Sequence, residues 1–199
     1  MNPVIPAIVL ALVGLANAAR AAEISSVYTD LDPDRDCATL DIVEEEGSGA
    51  ILACSGFRGF PVVIYEGDLR QSIFYGFPPQ GDPAWESFGP FNSAGARIEW
   101  RVRADGETVV PFATIHRWKV SNPEDGEQTT EVLVVEKVGQ LDDRQGCAVG
   151  LVVASGNPKA NEMARKIADE AVAGFSCGTD ERILVGQPMP DFSRTEPGN

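Results

Sequence analysis

The chain contains one histidine, His116, and no second residue that completes a known catalytic motif with it. A histidine near its ordinary pKa can act as a general base at neutral pH. However, no G-x-S-x-G or H-E-x-x-H motif accompanies His116, and the four cysteines are better interpreted as disulfides than as nucleophiles. We therefore expect a structural histidine on the same strand face as Phe112 and Trp118, and we assign no catalytic residue.

Carboxylates are the other reactive groups, and the chain has 30 of them. Two carboxylates can hydrolyse a glycoside, but nothing in the sequence selects a pair. One acidic run has the spacing of a calcium loop, with Arg35 where the sharp turn needs glycine and with Pro33 stiffening its middle. We expect a solvated loop and no metal site, with calcium as a minor alternative. The run comprises Asp30, Asp32, Asp34, Asp36 and Asp41.

Aromatic residues are concentrated in a proline-rich segment that spans residues 77–95. If exposed, they would form an apolar binding patch, and they are our candidate binding residues. The alternative, which we favour, is that the segment folds back over a sheet, because most large aromatic side chains are buried. The candidates are Phe77, Trp85, Phe88 and Phe91.

Four cysteines in an exported chain predict two disulfides, and three connectivities are possible. We choose nearest-neighbour pairing, Cys37 with Cys54 and Cys147 with Cys177. A four-thiolate zinc site is the alternative, but it requires close C-x-x-C pairs that the chain lacks.

The N-terminus predicts export. An apolar run from Val4 to Ala19 ends in small-x-small patterns that suit signal peptidase, so we assign residues 1–21 to a signal peptide. An uncleaved anchor is less consistent, because the run is shorter than the roughly 20 residues that span a bilayer. We expect a single domain over residues 22–180 and an edge strand with a flexible tail over 181–199.

The elements that must position these residues are mostly strands. Apolar and polar residues alternate on either side of Asp105-Gly106, which predicts a β-hairpin over residues 96–120. Strands are also predicted around residues 50–55, 60–66, 71–76, 129–138 and 147–155. An amphipathic helix should begin at Asn157-Pro158 and end near Gly174. The predicted fold is α+β, a twisted antiparallel meander with the C-terminal helix packed on one face.

Three segments resemble a group of small exported bacterial proteins. They are C-S-G-F-R-G-F-P-V-V-I-Y-E-G-D-L-R-Q-S-I-F-Y-G from Cys54, N-P-K-A-N-E-M-A-R-K-I-A-D from Asn157, and F-S-C-G from Phe175. The resemblance implies export and paired cysteines. It implies no catalytic residue and no cofactor.

Composition indicates the kind of partner. The formal net charge is −14, from 16 basic and 30 acidic residues, so the surface repels nucleic acid and anionic membranes. It favours a cationic protein partner, but the alternative that we favour from charge alone is that the acidity merely maintains solubility. We expect a periplasmic or secreted binding protein. The most specific version of this hypothesis is a binder or inhibitor of a cationic envelope protein such as a lysozyme-type hydrolase. The alternative function is a small cell-envelope hydrolase that uses carboxylates or His116.

Overall fold

A computed structural model describes residues 22–43 and 49–197. The predicted signal peptide, residues 1–21, lies outside the described residues. The helices are α1 (Pro33–Asp36) and α2 (Ala160–Ala171), and short 3-10 turns cover Phe57–Gly59 and Val172–Gly174. The strands are β1 (Glu23–Asp30), β2 (Cys37–Val43), β3 (Gly49–Ser55), β4 (Pro61–Gly67), β5 (Arg70–Tyr75), β6 (Trp85–Phe88), β7 (Asn92–Asp105), β8 (Thr108–Ser121), β9 (Thr129–Lys137), β10 (Cys147–Val153), β11 (Ile183–Val185) and β12 (Phe192–Thr195).

The fold is mainly β with one longer helix, so the expected α+β class is supported only in part. Six strands form one sheet in the order β1-β7-β8-β9-β10-β11, and β2-β3-β4-β5 form a second sheet. A further two-stranded sheet pairs β12 with β6. The predicted antiparallel meander holds from β7 to β10, but β11 runs parallel to β10. A parallel partner needs a long crossover, and α2 is the helix of that connection.

The hairpin of β7 and β8 forms as predicted, with Gly106 at a φ of +61° in its turn. One face of β7 is apolar and buried, as the alternation indicated. The opposite face differs from the expectation of a half-buried strand, because Glu99 and Arg101 are only 6% and 8% exposed. Helix α2 covers this face, and its Arg165 and Asp169 form ion pairs with Glu99 and Arg101.

Two hydrophobic layers lie on opposite faces of the six-stranded sheet. The first lies against the four-stranded sheet and contains Trp100, Trp118, Tyr75 and Ile64. The second lies under α2, where Ala164, Ile167 and Ala168 pack on the sheet. The single face predicted for the helix is therefore confirmed.

Helix α2 begins later than predicted. Its first residue is Ala160, and residues 158 and 159 form a turn before it. Asn157 still binds the free backbone, since its Oδ1 accepts a hydrogen bond from the Lys159 N–H at 3.0 Å. The capping interaction therefore stabilises the preceding turn.

Helix α1 and the first residues of β2 lie between Asp30 and Asp41, where a solvated loop was expected, and β1 precedes them. Strand β1 pairs along its whole length with β7, from Glu23 opposite Ala104 to Asp30 opposite Arg97. Strand β2 pairs with β3. The expectation of a loop was wrong from Cys37 to Asp41, because β2 is stabilised there by its pairing with β3.

The C-terminal segment is more ordered than expected. Strand β11 is an edge strand, as predicted. The predicted flexible tail instead contains β12, which is antiparallel to β6, with Phe192 packed edge-on against Phe88 at a ring distance of 4.8 Å.

Two disulfides link the cysteines as nearest-neighbour pairing predicted. Cys37–Cys54 joins β2 to β3, and Cys147–Cys177 ties the start of β10 to the segment after α2. Within the described residues no helix has the length and apolar character needed to cross a membrane.

Candidate functional site

A cavity of about 760 Å³ lies between the C-terminal segment and strands β6 and β10. We call it the C-terminal cavity. This volume falls in the range of ordinary ligand pockets. Its lining comes from β6, β10, β11 and β12 and includes Cys147. The site therefore combines segments that are far apart in the chain.

Glu86 is the buried acidic group of this cavity. It lies on β6 directly opposite Arg194 of β12 and is only 9% exposed. Its Oε2 accepts a hydrogen bond from the Ala148 N–H at 2.8 Å, and its Oε1 lies 3.4 Å from both the Arg182 and the Arg194 guanidinium. Burial raises the pKa of Glu86, while the N–H and the two arginines oppose that rise.

Both arginines are engaged by further contacts on the protein. Arg182 donates to the Phe192 carbonyl at 3.0 Å and lies 4.9 Å from the centre of the Phe192 ring. Arg194 donates to Glu196 at 2.5 Å. The guanidiniums therefore hold the C-terminal segment in place.

The rim of the cavity is acidic. Four exposed carboxylates line it, and adding Glu86 gives five acidic side chains against two basic ones, an excess of three. Apolar atoms of Leu184 and Met189 lie between them. This combination suits a cationic group with an apolar stem. The four rim residues are Asp180, Glu181, Asp191 and Glu196.

Sequence reasoning missed this site, because it assigned the last residues to a flexible tail. One signal was present. Arg182 and Arg194 are basic residues in an acidic segment.

The four aromatic candidates do not lie on a common surface. Phe88 is 1% exposed and packs on Trp118, so it is a core residue, which corrects its assignment to a binding patch. Phe77 packs on Phe60 at a ring distance of 5.1 Å. Trp85 lines a cavity of about 390 Å³, and Phe91, 48% exposed, lines a different one of about 370 Å³. Only part of the segment covers a sheet.

His116 is fully buried between the two larger sheets. Its Nε2 lies 2.6 Å from the Gly95 carbonyl, which can only accept, so Nε2 carries the proton and Nδ1 accepts from the Tyr75 hydroxyl at 2.6 Å. Burial lowers the pKa of His116 to about 4, although the bond to Gly95 opposes this change. Both ring nitrogens are occupied, so the histidine is held in a structural role.

A further buried carboxyl lies on β9. Glu136 of β9 stands opposite Thr114 of β8 and is 5% exposed. Burial raises its pKa well above the usual range, and the charge of Glu86 adds to the effect. Glu136 does not line the C-terminal cavity.

The acidic run after β1 is divided among several elements. Asp30 ends β1 and lies 3.5 Å from Arg97, Asp34 and Asp36 belong to α1, and Asp41 follows a bulge in β2. Across residues 22–43 and 49–197, no three histidine, cysteine, aspartate or glutamate side chains are grouped so that they could hold a metal ion.

Comparison with protein-family models, with curated proteins and with solved structures finds no match for this chain.

Proposed function

We propose that this chain is an exported binding protein that captures a cationic protein of the bacterial envelope through its C-terminal cavity. The observation that carries the proposal is the excess of carboxylates around a cavity whose two arginines are already engaged. A lysozyme-type hydrolase is the most specific partner that we propose, because a basic protein is attracted to a surface with this negative charge.

Periplasmic or secreted localisation is part of the proposal. Disulfides persist in oxidising compartments and are rare in the reducing cytosol. Both cysteine pairs are joined here, and one of them contributes to the wall of the cavity. The apolar N-terminal run supplies the export signal in this proposal.

A calorimetric titration with a basic lysozyme-type hydrolase tests the proposal, at about 20 mM and about 150 mM salt. We expect binding at low salt that weakens at the higher salt, together with inhibition of the hydrolase. Absence of binding at both ionic strengths would contradict the proposal.

Matched variants locate the binding site. Asp180→Asn with Glu181→Gln removes two rim charges and should weaken binding about fivefold. Glu124→Gln with Glu127→Gln removes two exposed charges from the loop after β8, where neither side chain lines the C-terminal cavity, and should change affinity little. Equal losses in the two variants would mean that net charge acts without the cavity.

A small envelope hydrolase is the second candidate function. The raised pKa of Glu86 inside a cavity favours it, because functional acids are often perturbed in this way. The buried His116 contributes no base to this candidate. Release of sugar or peptide fragments from peptidoglycan, lost in Glu86→Gln, would support the candidate, and no release by the unaltered protein would remove it.

A further inference from the structure

Strand β11 leaves an open edge on the six-stranded sheet. It is the last strand in the sheet order and pairs only with β10, through Gly150–Val152. Its three residues are Ile, Leu and Val, with no charge, proline or bulge. An edge without such features can pair with a strand from another chain, and the three-residue length of β11 limits this pairing to a few main-chain hydrogen bonds.

Both edge strands of the four-stranded sheet are protected. Strand β2 is the edge of the four-stranded sheet and contains a bulge between Thr39 and Asp41. Strand β5 is covered by β6, since the Glu86 N–H donates to Ser72 Oγ at 3.0 Å and Ser87 Oγ donates to the Gln71 carbonyl at 2.7 Å. Strand β1, the opposite edge of the six-stranded sheet, is longer than β11 and begins and ends with the acidic residues Glu23 and Asp30, whereas β11 contains no charged residue.

The side chains of β11 show which way an added strand would face. Leu184 is 57% exposed and lines the C-terminal cavity, while Val185 packs with the layer under α2. A strand added beside β11 would lie roughly 4.8 Å away. Its alternate side chains would then face the cavity next to Leu184.

Charge indicates the composition of the added strand. Asp180 and Glu181 come just before β11 in the sequence, and Asp191 and Glu196 also line the cavity, where Glu196 accepts a hydrogen bond from Arg194. All four are exposed. Lysine or arginine side chains on the cavity face would be attracted to this rim, whereas acidic ones would be repelled.

We propose that β11 accepts an extended basic segment of the partner protein as a seventh strand of the sheet, with its lysine or arginine side chains directed at the rim of the C-terminal cavity. This inference rests on the proposed function, because it specifies how the cationic partner binds. Main-chain hydrogen bonds supply affinity in this mode, and the alternate side chains supply specificity.

Two synthetic peptides test strand addition. The first alternates lysine and valine over seven residues, and the second has the same charge with proline in place of the central valine, which removes a backbone donor and disfavours pairing. The assay is binding to the oxidised protein at low salt, with amide hydrogen exchange of Ile183–Val185 measured by NMR. We expect the first peptide to bind at least tenfold more tightly and to slow exchange of the outward-facing amides of β11.

Variants separate this inference from the proposed function. Leu184→Lys places a positive charge on the edge and should abolish peptide binding, while Glu124→Gln with Glu127→Gln should preserve it. If both peptides bind equally and β11 amides show no added protection, strand addition is wrong, yet the cationic binding site remains supported. If neither peptide binds and the basic hydrolase also fails to bind, the proposed function fails as well. If neither peptide binds but the hydrolase does, only strand addition is overturned.

Discussion

The ion pair between Arg101 and Asp169 should be one of the strongest contacts between α2 and the sheet. The Arg101 guanidinium donates two hydrogen bonds to Asp169, at 2.8 and 2.7 Å. Its side chain is 9% exposed, and that of Asp169 is 30% exposed. Ser26 Oγ also accepts from Arg101. We consider the change Asp169→Asn, which preserves the shape of the side chain and removes its charge.

The structure sets the expected magnitude. An amide group cannot accept at its nitrogen, so one of the two bonds is lost and the other becomes a bond to a neutral oxygen. A hydrogen bond to a charged group contributes about 1.5–3 kcal/mol, and Ser26 still accepts from the guanidinium. We discount for the partial exposure of Asp169 and expect the free energy of unfolding to fall by about 2 kcal/mol.

A matched control exists in the same sheet. Asp30 and Arg97 stand opposite each other on β1 and β7, 3.5 Å apart, with side chains 82% and 69% exposed. Asp30→Asn removes the same charge but should change the free energy of unfolding by less than about 0.5 kcal/mol. Urea unfolding with both disulfides intact, followed by tryptophan fluorescence, measures both variants.

An equal loss in the free energy of unfolding for Asp169→Asn and Asp30→Asn would show that the Arg101–Asp169 pair contributes no more than an exposed pair. A double variant, Arg101→Met with Asp169→Leu, provides a further check. It removes both charges from the interface, so it should recover most of the loss seen in Asp169→Asn.

Two further predictions concern the core between the sheets. Because burial lowers the pKa of His116 from 6.5 to about 4, the unfolded chain binds a proton between these pH values while the folded chain does not. The stability that neutral His116 preserves above pH 6.5 is lost as pH falls towards 4, by up to about 3 kcal/mol. His116→Gln should reduce the dependence of the free energy of unfolding on pH, measured by urea titrations at several pH values. Glu136 is present in both proteins, so its contribution cancels from the comparison. The same pH dependence in both proteins would count against a neutral histidine. Phe88→Ala should lower the free energy of unfolding by about 3–5 kcal/mol and Phe91→Ala by less than about 1 kcal/mol, and a reversed order in thermal melts would contradict the burial of Phe88.

Elements with local signals could be predicted from the sequence. The hairpin of β7 and β8 has its turn at Asp105-Gly106 and alternation on both arms, so neighbouring residues determine it. Helix α2 has an apolar stripe that only one face can bury. Nearest-neighbour disulfides likewise follow from short separations along the chain.

Elements stabilised by distant residues could not be predicted. Strand β1 contains serine and acidic residues, and it forms because β7, more than 60 residues later, offers an open edge. Strand β12 has the same dependence on β6. The C-terminal cavity required all of these pairings, because Glu86 meets Arg182 and Arg194 only after β6 and β12 have joined.

The buried charges on β7 illustrate a related limit. Alternation along β7 correctly separated Glu99 and Arg101 from the apolar face. It could not show that α2 would cover the charged face, because the complementary Arg165 and Asp169 lie on another element. Charge complementarity between α2 and β7 was the only sequence signal for this packing.

Three adjacent strands of the six-stranded sheet, β8, β9 and β10, contribute to both hydrophobic layers. Trp118, Val134 and Leu151 point into one layer, while Ile115, Leu133 and Val149 point into the other. Neither layer can melt without exposing a face of strands that the other layer needs. The molecule should therefore unfold in one concerted transition, with the slowest-exchanging amides on these three strands. A destabilising substitution under α2 should then lower the stability of both hydrophobic layers together.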